Sequence, residues 1–216
     1  MSCIGLATSP DLHSWTDRGP AFCTEDVCPA APDPHACNAI DPHAFVSGGR
    51  SWMVFGSFWS GIKLVELNAT SGLLPVRDDG QRPRVWPVAE NLQDAPRSIE
   101  ASWVEHDAAS GWHFLFVYWG MCCRGVNSTY SIHVGRSKAV TGPYIDRAGR
   151  DMAQGGGTLL LGSEGRFIGP GQTGLLRNGL GWLLSMHYYD GQDAGKPKLR
   201  VVGLAVGGGG WPVVVG

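Results

Sequence analysis

The chain has 216 residues, 43% of them apolar and 17% charged, with a net charge of −2. A charge this sparse and balanced gives no electrostatic footprint for a nucleic acid or an anionic membrane, and no run approaches the ~18 apolar residues that span a bilayer. The length allows one or two domains, and thirty-two glycines, nine tryptophans and fourteen prolines fit many short strands and tight turns, not a helical bundle.

Met1 to Ile4 leads directly into strand-like sequence, without the basic segment and apolar core of a signal peptide. Cys3 to Thr8 reads as a strand, Ser9-Pro10-Asp11-Leu12 as a turn, and Trp15 to Gly19 as the start of a second strand. Pro20 to Cys37 is expected to be a connecting loop. The spacing of Cys23, Cys28 and Cys37 is not that of zinc-binding C-x₂-C pairs. Three cysteines in one loop predict a disulfide within that group or to Cys3, with the pairing open, and an oxidising compartment. The alternative is unpaired small residues. Adjacent Cys122 and Cys123 are expected to line a cleft floor or the core without bonding to each other.

From Asn38 onward one plan repeats. Asp41-Pro42 leads into an apolar run, the Gly48-Gly49 turn, Trp52 to Phe55, and Gly61 to Leu67. Glu100 leads into Trp103 to Glu105, Trp112 to Tyr118, and Ser131 to Ser137. Gln172 leads into Thr173 to Leu176, Trp182 to His187, and Leu199 to Ala205. A fourth strand closes each unit: Arg84 to Val88, Thr158 to Leu161, and Trp211 to Val215. Units of four strands repeating every roughly 60 to 70 residues point to a β-propeller with long loops. The start of each blade's first strand faces the central channel, so Asp41, Glu100 and Gln172 should converge. Taken alone, Asp41-Pro42 reads first as a turn starter.

Trp59 and Ser60 fall in a turn at the channel end. An aromatic ring there can stack on the apolar C–H face of a sugar, or plug the core between blades. Arg124 and Asn127 are candidate partners for sugar hydroxyls, or a charged residue and a turn Asn in a long loop. Asn68-Ala69-Thr70 and Asn127-Ser128-Thr129 are glycosylation sequons; the second, lying in the cleft, is expected to stay unmodified. His187 alternates with apolar positions and reads as a satisfied core histidine.

The motifs NAIDP (38–42), GSFWSGIKL (56–64), SIEAS (98–102), CCRGVNSTY (122–130), VGRSKAVTGPY (134–144), GGGTLLL (155–161), IGPG (168–171) and HYYDG (187–191) resemble the endo-1,5-α-L-arabinanase branch of glycoside hydrolase family 43. The similarity runs from about Ile4 to Val214. It implies a secreted five-bladed β-propeller that cuts α-1,5-linked arabinan with inversion. The family's first blade and half of its second have no counterpart here, so a single all-β domain over residues 1–216, a partial propeller, is expected, either a fragment or a truncated gene model. By resemblance Glu100 is the general acid, and Asp41 the carboxylate that raises the acid's pKa and orients it. Substrate contacts are expected from Asn38, Trp59, Ser60, Arg124, Asn127 and Gln172. Inversion needs a second carboxyl ~6.5–9.5 Å from the acid to activate water. In the family that base is an aspartate of the missing blade, and Asp11, in an outer turn, does not replace it. Gln172 stands where the family has a histidine that helps hold a channel metal, so no metal or other cofactor is expected. The expected partner is arabinan or an arabino-oligosaccharide, bound by a monomer, with no nucleic acid or membrane. The chain is therefore read as an arabinan hydrolase with impaired activity or, alternatively, as a non-catalytic arabinan-binding propeller fragment.

Overall fold

The computed structural model describes residues 2–28, 37–76, 79–179 and 181–215. β1 (Cys3–Thr8) and β2 (Thr16–Cys23) form an antiparallel ribbon, followed by a single helical turn, α1 (Thr24–Val27). Three four-stranded antiparallel meanders then follow in strict chain order. Blade I holds β3 (His43–Ser47), β4 (Arg50–Phe55), β5 (Ile62–Leu67) and β6 (Val85–Ala89). Blade II holds β7 (Ile99–Asp107), β8 (Trp112–Trp119), β9 (Ser131–Ser137) and β10 (Thr158–Leu161). Blade III holds β11 (Phe167–Asn178), β12 (Gly181–Asp190), β13 (Lys196–Val206) and β14 (Pro212–Val215). Among the described residues no helix is long and apolar enough to cross a membrane.

The period-two alternation of side chains builds the stack. In β4, Trp52 and Val54 face blade II, while Met53 and Phe55 face the ribbon and pack with Ile4 and Phe22. In β8, Leu115 and Val117 join the blade I side, while Phe114, Phe116 and Tyr118 pack against Leu184, Met186 and Leu204 of blade III. Both faces of β8 are thus covered, which is why its sequence, WHFLFVYW, is apolar throughout. Gly48 and Gly49 both take positive φ, 59° and 74°, and close the Ser47–Arg50 hairpin as a two-residue turn. The result is a partial β-propeller of three full blades and a two-stranded ribbon. Its inner strands β3, β7 and β11 all start from the same end.

The segment after Pro20 differs from the expected loop. β2 continues to Cys23, with Pro20 opposite Gly5 at a register shift, and α1 follows. Proline is tolerated there because the far edge of β2 pairs with no other strand of the ribbon. The Asp26 carboxylate accepts the Cys23 amide at 2.7 Å and caps the turn. Cys3 bonds to Cys23 across the ribbon, and Cys28 bonds to Cys37. Residues 29–36 of the expected loop lie outside the described residues.

Candidate active site

Asp41 stands just before β3, Glu100 near the start of β7, and Gln172 at a register shift within β11. The backbone is unusual at or next to each of them. Asp41 (φ 55°), Ala101 (φ 53°) and Gln172 (φ 57°) all adopt the left-handed region. That region is costly for residues other than glycine and is concentrated at functional sites. In β7 the register shifts between Glu100 and Trp103, and in β11 between Gly171 and Gly174. Such bulges re-aim a side chain away from the regular strand face. In β7 the bulge lies at the Glu100 end of the strand.

Two carboxyls meet here. Burial raises the Glu100 pKa above its ordinary value; the Ser57 hydroxyl, donating to Oε2 at 2.8 Å, pulls it down, and the Asp41 charge raises it further. Burial likewise raises Asp41, opposed by a hydrogen bond from the Ala101 amide. Each carboxyl is therefore poised to hold a proton at a higher pH than a solvated acid would. Asp41 is the one carboxylate among the described residues that acts electrostatically on Glu100. Ser57 was not singled out from the sequence, although it lies inside the GSFWSG turn.

That turn joins β4 to β5 and is tied to the acid strand. The Phe58 amide donates to the Ile99 carbonyl at 2.7 Å, and Gly61 N–H donates to the Phe58 carbonyl at 2.8 Å. Phe58 (φ 57°) and Trp59 (φ 47°) are both left-handed, so the bend lifts Trp59 out of the core. Trp59 is 41% exposed, which is not the burial of a core plug. The Ser60 carbonyl accepts a hydrogen bond from Lys63 Nζ, whose pKa burial lowers to about 8. Behind Asp41, the His43 ring stacks 3.6 Å from Trp103, and its Nδ1 accepts the Val104 amide at 3.1 Å. This wedge, also missed in the sequence, fixes blade I against blade II beside both carboxyls.

The remaining candidates are placed unevenly. Gln172 is exposed, and its neighbour Thr173 donates its amide to the buried Tyr118 hydroxyl. Arg124 and Asn127 are exposed on the loop after β8. That loop is drawn to β11: a Cβ on Gly169 would lie 2.8 Å from the Ser128 side chain. Asn38 is turned to another task, its Oδ1 accepting the Ser2 hydroxyl at 2.6 Å. Cys122 and Cys123 are bonded to each other, contrary to expectation. Cys123 takes φ 68° and its amide donates to the Tyr189 hydroxyl at 2.7 Å, a turn that brings the neighbouring sulfurs together. His187 is not the satisfied core histidine expected. Its ring sits between Tyr130 and Tyr189, with Nε2 buried and unpartnered among the described residues.

Among the described residues no three His, Cys, Asp or Glu side chains gather closely enough to bind a metal ion. Gln172 offers a neutral amide oxygen, a donor that suits hard cations and not the transition metals that imidazole favours.

The glycosyl hydrolases family 43 model matches residues 1–206. An extracellular exo-α-(1→5)-L-arabinofuranosidase of Cellvibrio japonicus is 37% identical over 95% of this chain and 58% of its own length. An extracellular endo-α-(1→5)-L-arabinanase of Bacillus subtilis is 36% identical over 98% of this chain and 60% of its own. The chain thus spans about three-fifths of these two relatives. Among solved structures, an endo-arabinanase from Bacillus licheniformis superposes with a TM-score of 0.82 at 34% identity, covering 98% of this chain and 67% of that one. An α-L-arabinanase of Cellvibrio cellulosa complexed with arabinohexaose gives 0.79 at 35% identity, over 99% of this chain and 68% of that one.

Proposed function

Because the chain belongs to glycosyl hydrolases family 43, we propose that it supplies the proton-donating half of an inverting hydrolase of α-1,5-linked arabinan. The observation that carries this reading is the pair of half-buried carboxyls, Glu100 and Asp41, each raised in pKa and coupled by charge, beside an exposed indole. Glu100 protonates the departing glycosidic oxygen as the C–O bond breaks. Asp41 keeps the proton on Glu100 until then and, with the Ser57 hydroxyl, orients it. Trp59 stacks on a furanose ring, and Arg124, Asn127 and Gln172 contact hydroxyls. Asn38 is left in a supporting role by its bond to Ser2. The protein acts as a monomer outside the cell, in keeping with its disulfides and with relatives named as extracellular.

Inversion also requires a base that takes a proton from water on the opposite face of the sugar. We assign that role to no described residue. A general base contributes ~10²–10⁴-fold, so residues 1–216 alone should release reducing sugar from linear arabinan only slowly. The test compares the wild-type chain with Glu100→Gln. Residual hydrolysis should vanish in the variant while arabino-oligosaccharide binding persists. Turnover that survives the substitution would remove Glu100 from the mechanism. Binding with no turnover in either protein would favour a sugar-binding module.

A further inference from the structure

A second cleft lies at the opposite end of blade II. Trp112 pairs with Asp107 at the far end of β7, whereas Glu100 pairs with Tyr118. The six residue steps from Trp112 to Tyr118 on β8 span ~20 Å at ~3.3 Å each. The cleft has a volume of about 370 Å³ and is lined by Trp112, Arg136, Lys138, Asp146, Arg147 and Trp211. It therefore sits between blades II and III, on the side away from the carboxyl pair.

Its chemistry is cationic and aromatic. The Arg136 guanidinium lies 4.4 Å from the Trp112 ring centre and 4.3 Å from that of Trp211, clamped between rings of two blades. Lys138 Nζ sits 3.9 Å from the Trp112 centre, and Arg147 5.5 Å from that of Trp211. Three cations thus surround two indoles, and the Arg147 charge adds to burial in lowering the Arg136 pKa. The carboxylate of the lining is hydrogen-bonded to backbone and not to these cations. Asp146 is taken up by the amides of Ala148, Arg150 and Gly157, at 2.9, 2.9 and 3.0 Å. None of the three cations forms an ion pair among the described residues. Arg136 spends Nη1 on the Gly209 and Gly210 carbonyls, and Lys138 donates to the Ser110 carbonyl at 2.6 Å. The other guanidinium N–H groups of Arg136 and the exposed Arg147 are left to meet an anion.

We propose that this cleft binds the carboxylate of a uronate residue in an acidic polysaccharide. Guanidinium groups match a carboxylate in plane and charge, and indoles suit the apolar face of a pyranose. The volume is that of a small-ligand site, ~300–1,000 Å³. The choice of a sugar carboxylate rests on the polysaccharide reading above; the anion site itself does not. A protein that cuts neutral arabinan at one end would thereby hold an acidic stretch of polymer at the other.

Calorimetric titration of the 216-residue chain with trigalacturonate, arabinotriose and inorganic phosphate tests this. Lys138→Ala and Arg147→Ala, both at exposed positions, are the variants, with thermal unfolding as the check on folding. Trigalacturonate should bind the wild type, and each substitution should weaken it at least about tenfold, the worth of one charged hydrogen bond. Trp59→Ala should leave it unchanged while weakening arabinotriose, which separates failure of this site from failure of the carboxyl site. No binding of trigalacturonate at millimolar concentration, equal binding by the Lys138→Ala/Arg147→Ala double variant, or phosphate binding as tightly as trigalacturonate would overturn the proposal.

Discussion

His43 makes the fold sensitive to acid in a calculable way. Its ring stacks nearly parallel on Trp103, at 14°, and its Nδ1 accepts the Val104 amide. An imidazolium carries a proton on both nitrogens and cannot accept that bond. Burial accordingly lowers the His43 pKa from 6.5 to about 4. Between those values the unfolded chain takes up a proton that the folded chain refuses. Stability therefore falls as pH drops from 6.5 toward 4 and is untouched above 6.5. A difference of about 2.5 in pKa, at about 1.4 kcal/mol each, makes the full loss about 3 kcal/mol. Burial lowers His113, His133 and His187 as well, and raises Asp41, Glu100 and Glu105. Only a comparison isolates His43. The assay is urea unfolding of wild type and His43→Gln near pH 7 and near pH 4.5. The amide of the variant can still accept the Val104 bond but does not titrate. It should be the less stable protein near pH 7 and lose about 2–3 kcal/mol less than wild type on acidification. Parallel pH dependences in the two proteins would refute the assignment of His43 as the neutral wedge between blades.

Gly61→Ala would place a Cβ 2.2 Å from the Ala89 carbonyl at φ 77°. The left-handed penalty and overpacking together should cost about 2–4 kcal/mol and lower Tm by about 5–15 °C in a scanning unfolding experiment. Trp59→Ala should weaken arabino-oligosaccharide binding about tenfold or more by calorimetry, with little change in Tm, because the ring is already 41% exposed. Lys63 has its pKa lowered to about 8, so its charge costs stability below that value, and stability should rise as pH climbs from about 8 to 10.5. Lys63→Met should abolish that rise and stabilise the protein by about 1–3 kcal/mol near pH 7 in urea unfolding.

The strands were legible because their signal is local. Alternation in β4 and β8, and the paired glycines at 48 and 49, mark which residues face which neighbour and where the chain reverses. The places of Asp41 and Glu100 in the fold were legible for a related reason, since each opens a repeat. What escaped is what joins repeats. Ser57 reaches Glu100 across 43 residues of sequence, and His43 reaches Val104 across 61; no periodicity encodes such pairs. The left-handed backbone at Asp41, Ala101 and Gln172 was hidden because none of these residues announces positive φ as glycine does. The Cys122–Cys123 bond was hidden by its dependence on Tyr189, 66 residues from Cys123.

The central claim is that burial and the Asp41 charge hold Glu100 protonated as a proton donor. Carbon-detected NMR titration of the Glu100 carboxyl tests it without requiring turnover. In the wild type the midpoint should lie above the ordinary 4.5. Because the two carboxyls titrate as a coupled pair, the curve is read alongside that of Asp41→Asn, in which the Glu100 midpoint should fall. A wild-type midpoint at or below 4.5, or one that Asp41→Asn leaves unmoved, would contradict the account.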